Sequence, residues 1–166
     1  MRKFKGLDKP STKVGGFSFD KKGNIITKGR EKVMYQAPSV LKMYNEFFGD
    51  IIPKGDILFV GLGSGLMYNE WKNDEGVTSF EAIEIDKEII DINIELGNDM
   101  IYHNVSAFDF KSDKKYDIII LDIFHKKVDG YEKLQEQLFR LYQPMLKEDG
   151  ILRYLKICSI DLDYLL

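Results

Sequence analysis

The stretch Ile57-Leu58-Phe59-Val60-Gly61-Leu62-Gly63-Ser64-Gly65 decides the fold of this chain. It begins with four apolar residues in a row, a pattern typical of a strand that is covered on both faces. Three glycines at alternate positions follow, and Leu66–Trp71 is predicted to be a helix. Glycine lets a backbone turn sharply and approach a ligand without a Cβ in the way. The stretch therefore predicts a strand, a tight loop and a helix, with the loop available to a ligand.

The rest of the chain repeats this alternation of strand and helix. Asp86 is placed to cap the helix that begins at Lys87. An amphipathic stripe that ends near Met145 indicates the last helix. Such alternation forms βαβ units, so the predicted fold class is α/β, a Rossmann-like, doubly wound and mostly parallel sheet. The other predicted strands are Ser79–Glu84, Met100–Tyr102, Asp117–Asp122 and Ile151–Ile157, and the other helices of this unit are Lys87–Leu96 and Tyr131–Leu146.

The N-terminal part has a different pattern. Gly15–Phe19 and Ile25–Thr27 are extended runs on either side of a turn-forming segment, which predicts a β-hairpin. A helix is predicted from Pro38 to Phe48. We therefore divide the chain into an N-terminal β-hairpin extension, residues 1–36, and a Rossmann-like cofactor-binding domain, residues 37–166, as a single compact unit.

Composition excludes several classes of protein. The 166 residues are 44% hydrophobic and 31% charged, which is the profile of one soluble globular domain. The net charge of −3 gives no general attraction to nucleic acid, so no nucleic-acid partner is expected. No apolar stretch approaches the length needed to cross a membrane, and the one cysteine, Cys158, permits no internal disulfide. We expect a cytoplasmic protein. His103, His125 and Cys158 lack metal-ligand spacing, so no metal is expected.

The glycine loop and Glu84 together predict a nucleoside site. Glu84 ends the second predicted strand, where a carboxylate can accept hydrogen bonds from both hydroxyls of a ribose. The dinucleotide pattern requires glycine at position 66, where this chain has Leu66. The spacing Gly61-x-Gly63-x-Gly65 therefore argues against NAD and favours a methyltransferase-type loop.

Further candidates follow the later strands. Ser106 and Asp109 could meet an adenine amino group, although Ser106 suits a helix N-cap equally well. Asp122 could bind a cofactor amine, orient a nucleophile or accept its proton, and His125 could serve in acid–base chemistry or be an ordinary loop residue. Tyr35 and Gln36 could line the cofactor mouth or pack at the junction.

The order of these motifs resembles that of the class I methyltransferases. More narrowly, Ile57–Gly65, Glu84-Ile85-Asp86 and Tyr116–Asp122 are similar to motifs of the spermidine synthase family and its methyltransferase-like relatives, over roughly residues 15–157. The N-terminal segment supports the narrower resemblance with Asp20, Gly23, Ile26-Thr27, Arg30-Glu31 and Tyr35-Gln36.

The resemblance implies roles for individual residues. The glycine loop, including Ser64, would meet the methionine part of S-adenosylmethionine (SAM) or its decarboxylated form. It further implies Glu84 on the ribose, Gln36 near the cofactor and Asp122 at the reacting end. Ser106 stands where the family has an acid near the adenine.

Three departures favour methyl transfer over aminopropyl transfer. Ser64, Ser106 and His125 stand where polyamine synthases have acids, and cationic amines need carboxylate partners. The leading hypothesis is a small-molecule methyltransferase, with Asp122 and His125 as catalytic residues. A polyamine aminopropyltransferase and a non-catalytic binding module remain alternatives.

From Asp56 onward the sequence supplies five strands to the main sheet, whereas the sheet of the family it resembles has seven. Strand five would then lie at an edge, which is a pairing liability for an apolar strand. We expect a second subunit of a homo-oligomer, or the tail with Leu162, Tyr164, Leu165 and Leu166, to cover it.

Overall fold

The computed structural model describes residues 13–14, 17–19, 25–28, 31–35, 38–123 and 130–154, with side chains from residue 41 onward. In these ranges the chain forms two sheets, one of four strands and one of five. The strands are β1 (Lys13–Val14), β2 (Phe17–Phe19), β3 (Ile25–Lys28), β4 (Glu31–Tyr35), β5 (Gly55–Val60), β6 (Val77–Ile83), β7 (Ile101–His103), β8 (Tyr116–Leu121) and β9 (Leu146–Tyr154). The helices are α1 (Pro38–Phe48), α2 (Leu66–Trp71), α3 (Lys87–Glu95) and α4 (Tyr131–Tyr142).

The five-stranded sheet is parallel throughout and has the order β7-β6-β5-β8-β9. The chain proceeds from β5 outward to β7, then returns to the other side of β5 for β8 and β9. The carboxyl ends of β5 and β8 therefore lie side by side where the direction of winding reverses, which is where open α/β sheets bind ligands. The predicted fold class is confirmed.

Both faces of this sheet are buried, which explains the apolar runs of the sequence. In β5, Ile57 and Phe59 pack into a core under α1, α2 and α3, while Leu58 and Val60 pack into a second core under α4. All four side chains are at most 3% exposed. Burying a large aliphatic or aromatic side chain stabilises a fold by about 1.5–3 kcal/mol, so β5 is the strand around which the domain is organised.

The N-terminal sheet is larger than the predicted hairpin. β2 and β3 pair antiparallel and correspond to that hairpin, but β1 and β4 extend it to a four-stranded antiparallel sheet. The sequence therefore predicted two of the four strands of this sheet. β1 has only two residues, and β4 begins at Glu31 beside charged residues, so neither carries the alternating apolar pattern of a half-buried strand. The domain boundary at residue 36 stays a prediction.

The last helix ends earlier than predicted and the last strand begins earlier. α4 stops at Tyr142 and gives way to a short 3-10 turn, Gln143–Met145. Pro144 explains the stop, because proline lacks an N–H and restricts the residue before it. β9 lies at one edge of the sheet as expected. The tail and Cys158 lie outside the described residues, so what covers this edge stays a prediction.

Within the described residues, no helix has the length and apolar character needed to cross a bilayer.

Candidate functional site

Three predicted site features meet at the carboxyl edge of the sheet. The glycine loop follows β5, Glu84 follows β6 and Asp122 follows β8. Backbone bonds hold these segments to their neighbouring strands, from Gly61 N–H to the Ile83 carbonyl at 2.9 Å and from Asp122 N–H to the Val60 carbonyl at 2.8 Å. The sheet therefore brings together residues that the sequence placed after separate strands.

The glycine loop is a left-handed turn packed closely against the protein. Gly61, Gly63 and Gly65 have φ values of 86°, 52° and 72°, which side chains disfavour. A Cβ on Gly61 would lie 2.2 Å from the Asp122 carbonyl oxygen. A Cβ on Gly65 would lie 2.3 Å from Asn93 Oδ1. The sequence interpretation assigned these glycines to close approach of a ligand, but at positions 61 and 65 protein atoms fill the space.

Glu84 joins the glycine loop to the end of β6. Its Oε2 accepts a hydrogen bond from Leu62 N–H at 3.1 Å, and its Oε1 accepts one from Asp86 N–H at 3.0 Å. The side chain is half-buried. A carboxylate has about four acceptor positions, so each oxygen retains capacity for a ligand hydroxyl. The carboxylate is thus held in place by two backbone donors while it can still accept.

Asp86, which follows, caps α3 as predicted, since its side chain accepts from Glu88 N–H.

Asp122 is held from the other side by α1. The Tyr44 phenol donates a hydrogen bond to Asp122 Oδ2, and both side chains are half-buried. Burial first, and then the negative charge of Asp122, raises the pKa of Tyr44 well above its usual value of 10.0. Tyr44 therefore remains a donor at neutral pH, and a hydrogen bond to the ionised carboxyl favours the charged form of Asp122. The sequence predicted the helix Pro38–Phe48 but gave Tyr44 within it no separate role.

Ser106 makes a local turn. Its hydroxyl accepts from Phe108 N–H at 3.2 Å, and its carbonyl accepts from Asp109 N–H at 3.0 Å. The alternative of a helix N-cap at Ser106 is wrong, because a turn and no helix follows Ser106 between β7 and β8. Phe108 and Asp109 are exposed beside it.

Of the remaining predicted site residues, the structure describes Ser64 but not Gln36 or His125. Ser64 is 6% exposed within the glycine loop. Gln36 and His125 lie outside the described residues, so their roles stay predictions. In the part of the chain that is described, no three His, Cys, Asp or Glu side chains cluster as metal ligands would.

Sequence reasoning missed a set of asparagines beneath the glycine loop. Asn93 in α3 and Asn98 after it are 0% and 4% exposed. Asn93 Nδ2 donates to the Gly63 carbonyl at 2.9 Å, and Asn69 Nδ2 donates to the Gly65 carbonyl at 2.9 Å. The available signal was the position of Asn93 on the apolar stripe of α3, where a polar residue must find buried partners.

A second polar cluster joins β6 and β7 to the start of β8. Glu81 is 6% exposed and accepts from Lys114 Nζ at 2.8 Å and from the Tyr116 phenol at 3.0 Å. His103 Nε2 lies 2.7 Å from Glu81 Oε2, and its ring packs on Phe110. These contacts satisfy a buried carboxylate and give His103 a structural role.

Comparison with known proteins shows similarity in fold. No protein-family model and no curated protein sequence matches the chain. Among solved structures, the DhpI–SAM–HEP complex has a TM-score of 0.57 at 14% identity, covering 78% of this chain and 61% of that one. A ribosomal protein L11 methylase from Lactobacillus delbrueckii subsp. bulgaricus has a TM-score of 0.56 at 18% identity, covering 76% and 63%.

A third similar structure, a SAM-dependent methyltransferase from Clostridium acetobutylicum ATCC 824, has a TM-score of 0.51 at 12% identity, covering 70% of this chain and 55% of that one. The chain thus spans between 55% and 63% of the length of these three structures. At such identities the likeness concerns the fold alone, an α/β fold that this chain shares with the three structures.

Proposed function

We propose that this chain binds SAM at the carboxyl edge of its five-stranded sheet and transfers the methyl group to a small-molecule acceptor, as a methyltransferase of the spermidine synthase-like group. The observation that carries the proposal is the Glu84 carboxylate, which is bonded at once to the glycine loop through Leu62 N–H and to its own strand end through Asp86 N–H. The fold and the SAM-dependent neighbours support the same proposal.

The donor set at this edge fits an adenosyl cofactor. Glu84 retains acceptor capacity for ribose hydroxyls, which are donors. The glycine loop lies next to it, and the Asp122 carboxylate lies on the other side of Gly61. A positively charged group of the ligand would be stabilised near that carboxylate. When bound, SAM supplies a sulfonium-activated methyl group.

The protein's own contribution is mainly one of position. Tyr44 and the backbone bond to Val60 hold Asp122 in one place, so its carboxylate can orient an acceptor group without moving. Orientation of two reactants can contribute about 7–11 kcal/mol to catalysis, so a rigid site suffices for much of a methyl transfer. Since Tyr44 favours the ionised carboxyl, the geometry suits an Asp122 that holds a proton-bearing group of the acceptor by hydrogen bonding or charge.

Calorimetric titration with SAM, decarboxylated SAM and methylthioadenosine tests the proposal. We expect saturable binding with a preference for SAM. The Glu84→Gln variant should bind SAM about tenfold or more weakly, because the amide replaces an acceptor oxygen by a donor. Glu95→Gln, an exposed change at the end of α3, is the matched control and should bind as the wild type does.

The other outcomes separate the alternatives. A preference for decarboxylated SAM would indicate aminopropyl transfer instead. Saturable binding without turnover on any acceptor would indicate a binding module. No binding of the three ligands would refute the proposed cofactor.

A further inference from the structure

Two acidic residues lie on either side of Gly61, at the point where the winding of the sheet reverses. On the β6 side, Glu84 accepts a hydrogen bond from Leu62 N–H at 3.1 Å. On the β8 side, a Cβ on Gly61 would lie 2.2 Å from the Asp122 carbonyl oxygen. Open α/β sheets bind ligands at such a point. A ligand bound there is therefore next to both acidic residues.

The bonds that orient these two carboxylates come from uncharged donors. Glu84 accepts from two backbone N–H groups, and Asp122 accepts from the Tyr44 phenol. Because burial raises the pKa of Tyr44 well above its usual value, the phenol stays protonated at neutral pH. The carboxylate of Glu81 differs, since the ammonium group of Lys114 lies 2.8 Å from its Oε1. The bonds to Glu84 and Asp122 thus orient the carboxylates without cancelling their charge.

The position of Asp122 is fixed by two buried elements. Its N–H donates to the carbonyl of Val60, in the central strand β5, at 2.8 Å. The ring of Tyr44, which holds the carboxylate, makes an edge contact with the ring of Phe48 at 5.4 Å between centroids. Phe48 is 0% exposed. A charge that is already in place acts on a ligand without the cost of reorganisation.

The charge on sulfur changes in the proposed reaction. In a methyl transfer, an electron pair of the acceptor forms the new bond to carbon, and the electron pair of the broken S–C bond stays on sulfur. The charged sulfonium of SAM thereby becomes the uncharged thioether of S-adenosylhomocysteine. A fixed negative charge nearby favours the charged ligand and has no such effect on the uncharged one.

We propose that Asp122, positioned by Tyr44, makes the site select SAM over S-adenosylhomocysteine, so that the product leaves more readily than the cofactor. This inference rests on the proposed function and adds to it the pair of residues that limits inhibition by the product. Glu84 is assigned to the ribose hydroxyls, which both ligands have, so it does not distinguish them.

Three ligands separate the effect of charge from that of the methyl group. SAM has both features, S-adenosylhomocysteine lacks both, and sinefungin carries an ammonium group on carbon in place of the methylated sulfur. Calorimetry at neutral pH gives the dissociation constant of each. We expect wild type to bind SAM and sinefungin about tenfold more tightly than S-adenosylhomocysteine, the lower end of the range for a nearby opposite charge.

Two variants test the assignment to Asp122 and Tyr44. Asp122→Asn keeps the shape of the side chain and removes its charge. It should weaken SAM and sinefungin by about tenfold and S-adenosylhomocysteine by less than about twofold, so that the preference disappears. Tyr44→Phe should reduce the preference by about threefold, because the carboxylate keeps its charge and loses one bond that places it. Tyr44→Phe decides the question if Asp122→Asn cannot be purified.

The matched control is Asp149→Asn, which removes the same charge at an exposed position of β9. The charge of an exposed carboxylate is screened by solvent and salt. This variant should therefore leave the three dissociation constants as in wild type.

Equal affinity of wild type for SAM and S-adenosylhomocysteine would overturn the inference and leave the proposed function intact. Weakening of all three ligands by the same factor in Asp122→Asn would also overturn it, since a merely structural role gives that result. If sinefungin binds as weakly as S-adenosylhomocysteine, the site recognises the methyl group and not the charge, and the inference is wrong. Failure of wild type to bind any of the three ligands would refute the proposed function, and the inference with it.

Discussion

The Tyr44 phenol donates a hydrogen bond to the Asp122 carboxylate across a sequence separation of 78 residues. This bond ties α1, which precedes the sheet, to the end of β8 at its carboxyl edge. Tyr44 also makes an edge contact with the ring of Phe48, which is fully buried in the core under α1. The packing of α1 against the sheet therefore sets the position of the Asp122 carboxylate, although α1 and Asp122 are far apart in the sequence.

This relationship predicts energetic coupling between the two residues. In a double-mutant cycle, Tyr44→Phe and Asp122→Ala should be less destabilising together than the sum of the single changes, by about 1.5–3 kcal/mol, the range for a hydrogen bond to a charged group. Urea unfolding gives the four free energies. Tyr142→Phe paired with Asp122→Ala is the control and should be additive, because Tyr142 donates to the Ala107 carbonyl instead. Additivity in the first pair would contradict the bond.

Alanine at Gly65 is predicted to be more destabilising than alanine at Gly97, and the difference measures the close packing around Gly65. Gly65 and Gly97 have φ values of 72° and 74°, but a Cβ on Gly97 would meet nothing within 4 Å, whereas one on Gly65 would lie 2.3 Å from Asn93 Oδ1. Gly97→Ala should cost about 1–2 kcal/mol from backbone strain alone. Gly65→Ala should cost about 1–3 kcal/mol more, from overpacking. Equal costs in urea unfolding would mean that the loop does not rest on the asparagines.

Stability should fall in acid through Asp56, at the start of β5. The hydroxyl of Ser79, followed by the ammonium groups of Lys147 and Lys114, lowers the pKa of Asp56 to about 2. A carboxyl whose pKa is lowered by folding contributes stability above its unfolded pKa and loses it as the pH falls through the folded value. The free energy of unfolding should therefore decrease by up to about 2 kcal/mol between about pH 4 and pH 2 from this group.

The Ser79→Ala variant checks this cause. It removes the 2.7 Å bond from Ser79 Oγ to Asp56 Oδ1 and should flatten the acid decrease by about 1 kcal/mol. Thr78→Ala, an exposed change on the same strand, should leave the pH dependence as in wild type. An unaltered slope in Ser79→Ala would assign the acid sensitivity to other groups.

Stability should also fall in strong alkali, because buried phenols must ionise. Burial, and then electrostatic repulsion from Asp99 and Tyr68, raises the pKa of Tyr102 to about 12, and burial raises the pKa of Tyr142. A phenol whose pKa is raised by folding contributes fully below the unfolded value of about 10 and loses that contribution as the pH rises through the folded value. Urea unfolding at pH 8 and pH 11 should show a loss that is smaller in Tyr142→Phe. The same loss in both proteins would contradict this origin.

Much of the sheet could be predicted from local pattern. The run Ile57–Val60 is continuous because β5 is covered on both faces, and the same reason made Asp117–Asp122 recognisable as β8. The N-terminal sheet was only half predicted, since short strands such as β1 carry too few residues to show alternation. The end of α4 was missed although Pro144 marked it.

The site divides in the same way. Glu84 and the glycine loop were predicted because each follows directly after a recognisable strand. Tyr44 and Asn93 were not predicted, because each lies on the apolar face of a helix, where its polar group does not stand out in the sequence. Only a partner from a distant segment gives that atom a role, and no local spacing identifies the partner.

The sequence by itself determined which segments are strands and helices and where the candidate loop and carboxylates follow them, because burial on two faces dictates residue type locally. Only the tertiary structure decided that β5 lies between β6 and β8 and that Tyr44 donates to Asp122. It also decided that other protein atoms occupy the space that a Cβ would need at Gly61 and Gly65. These are contacts between segments far apart in the chain, and they depend on how the helices and strands pack together, which composition and periodicity do not encode.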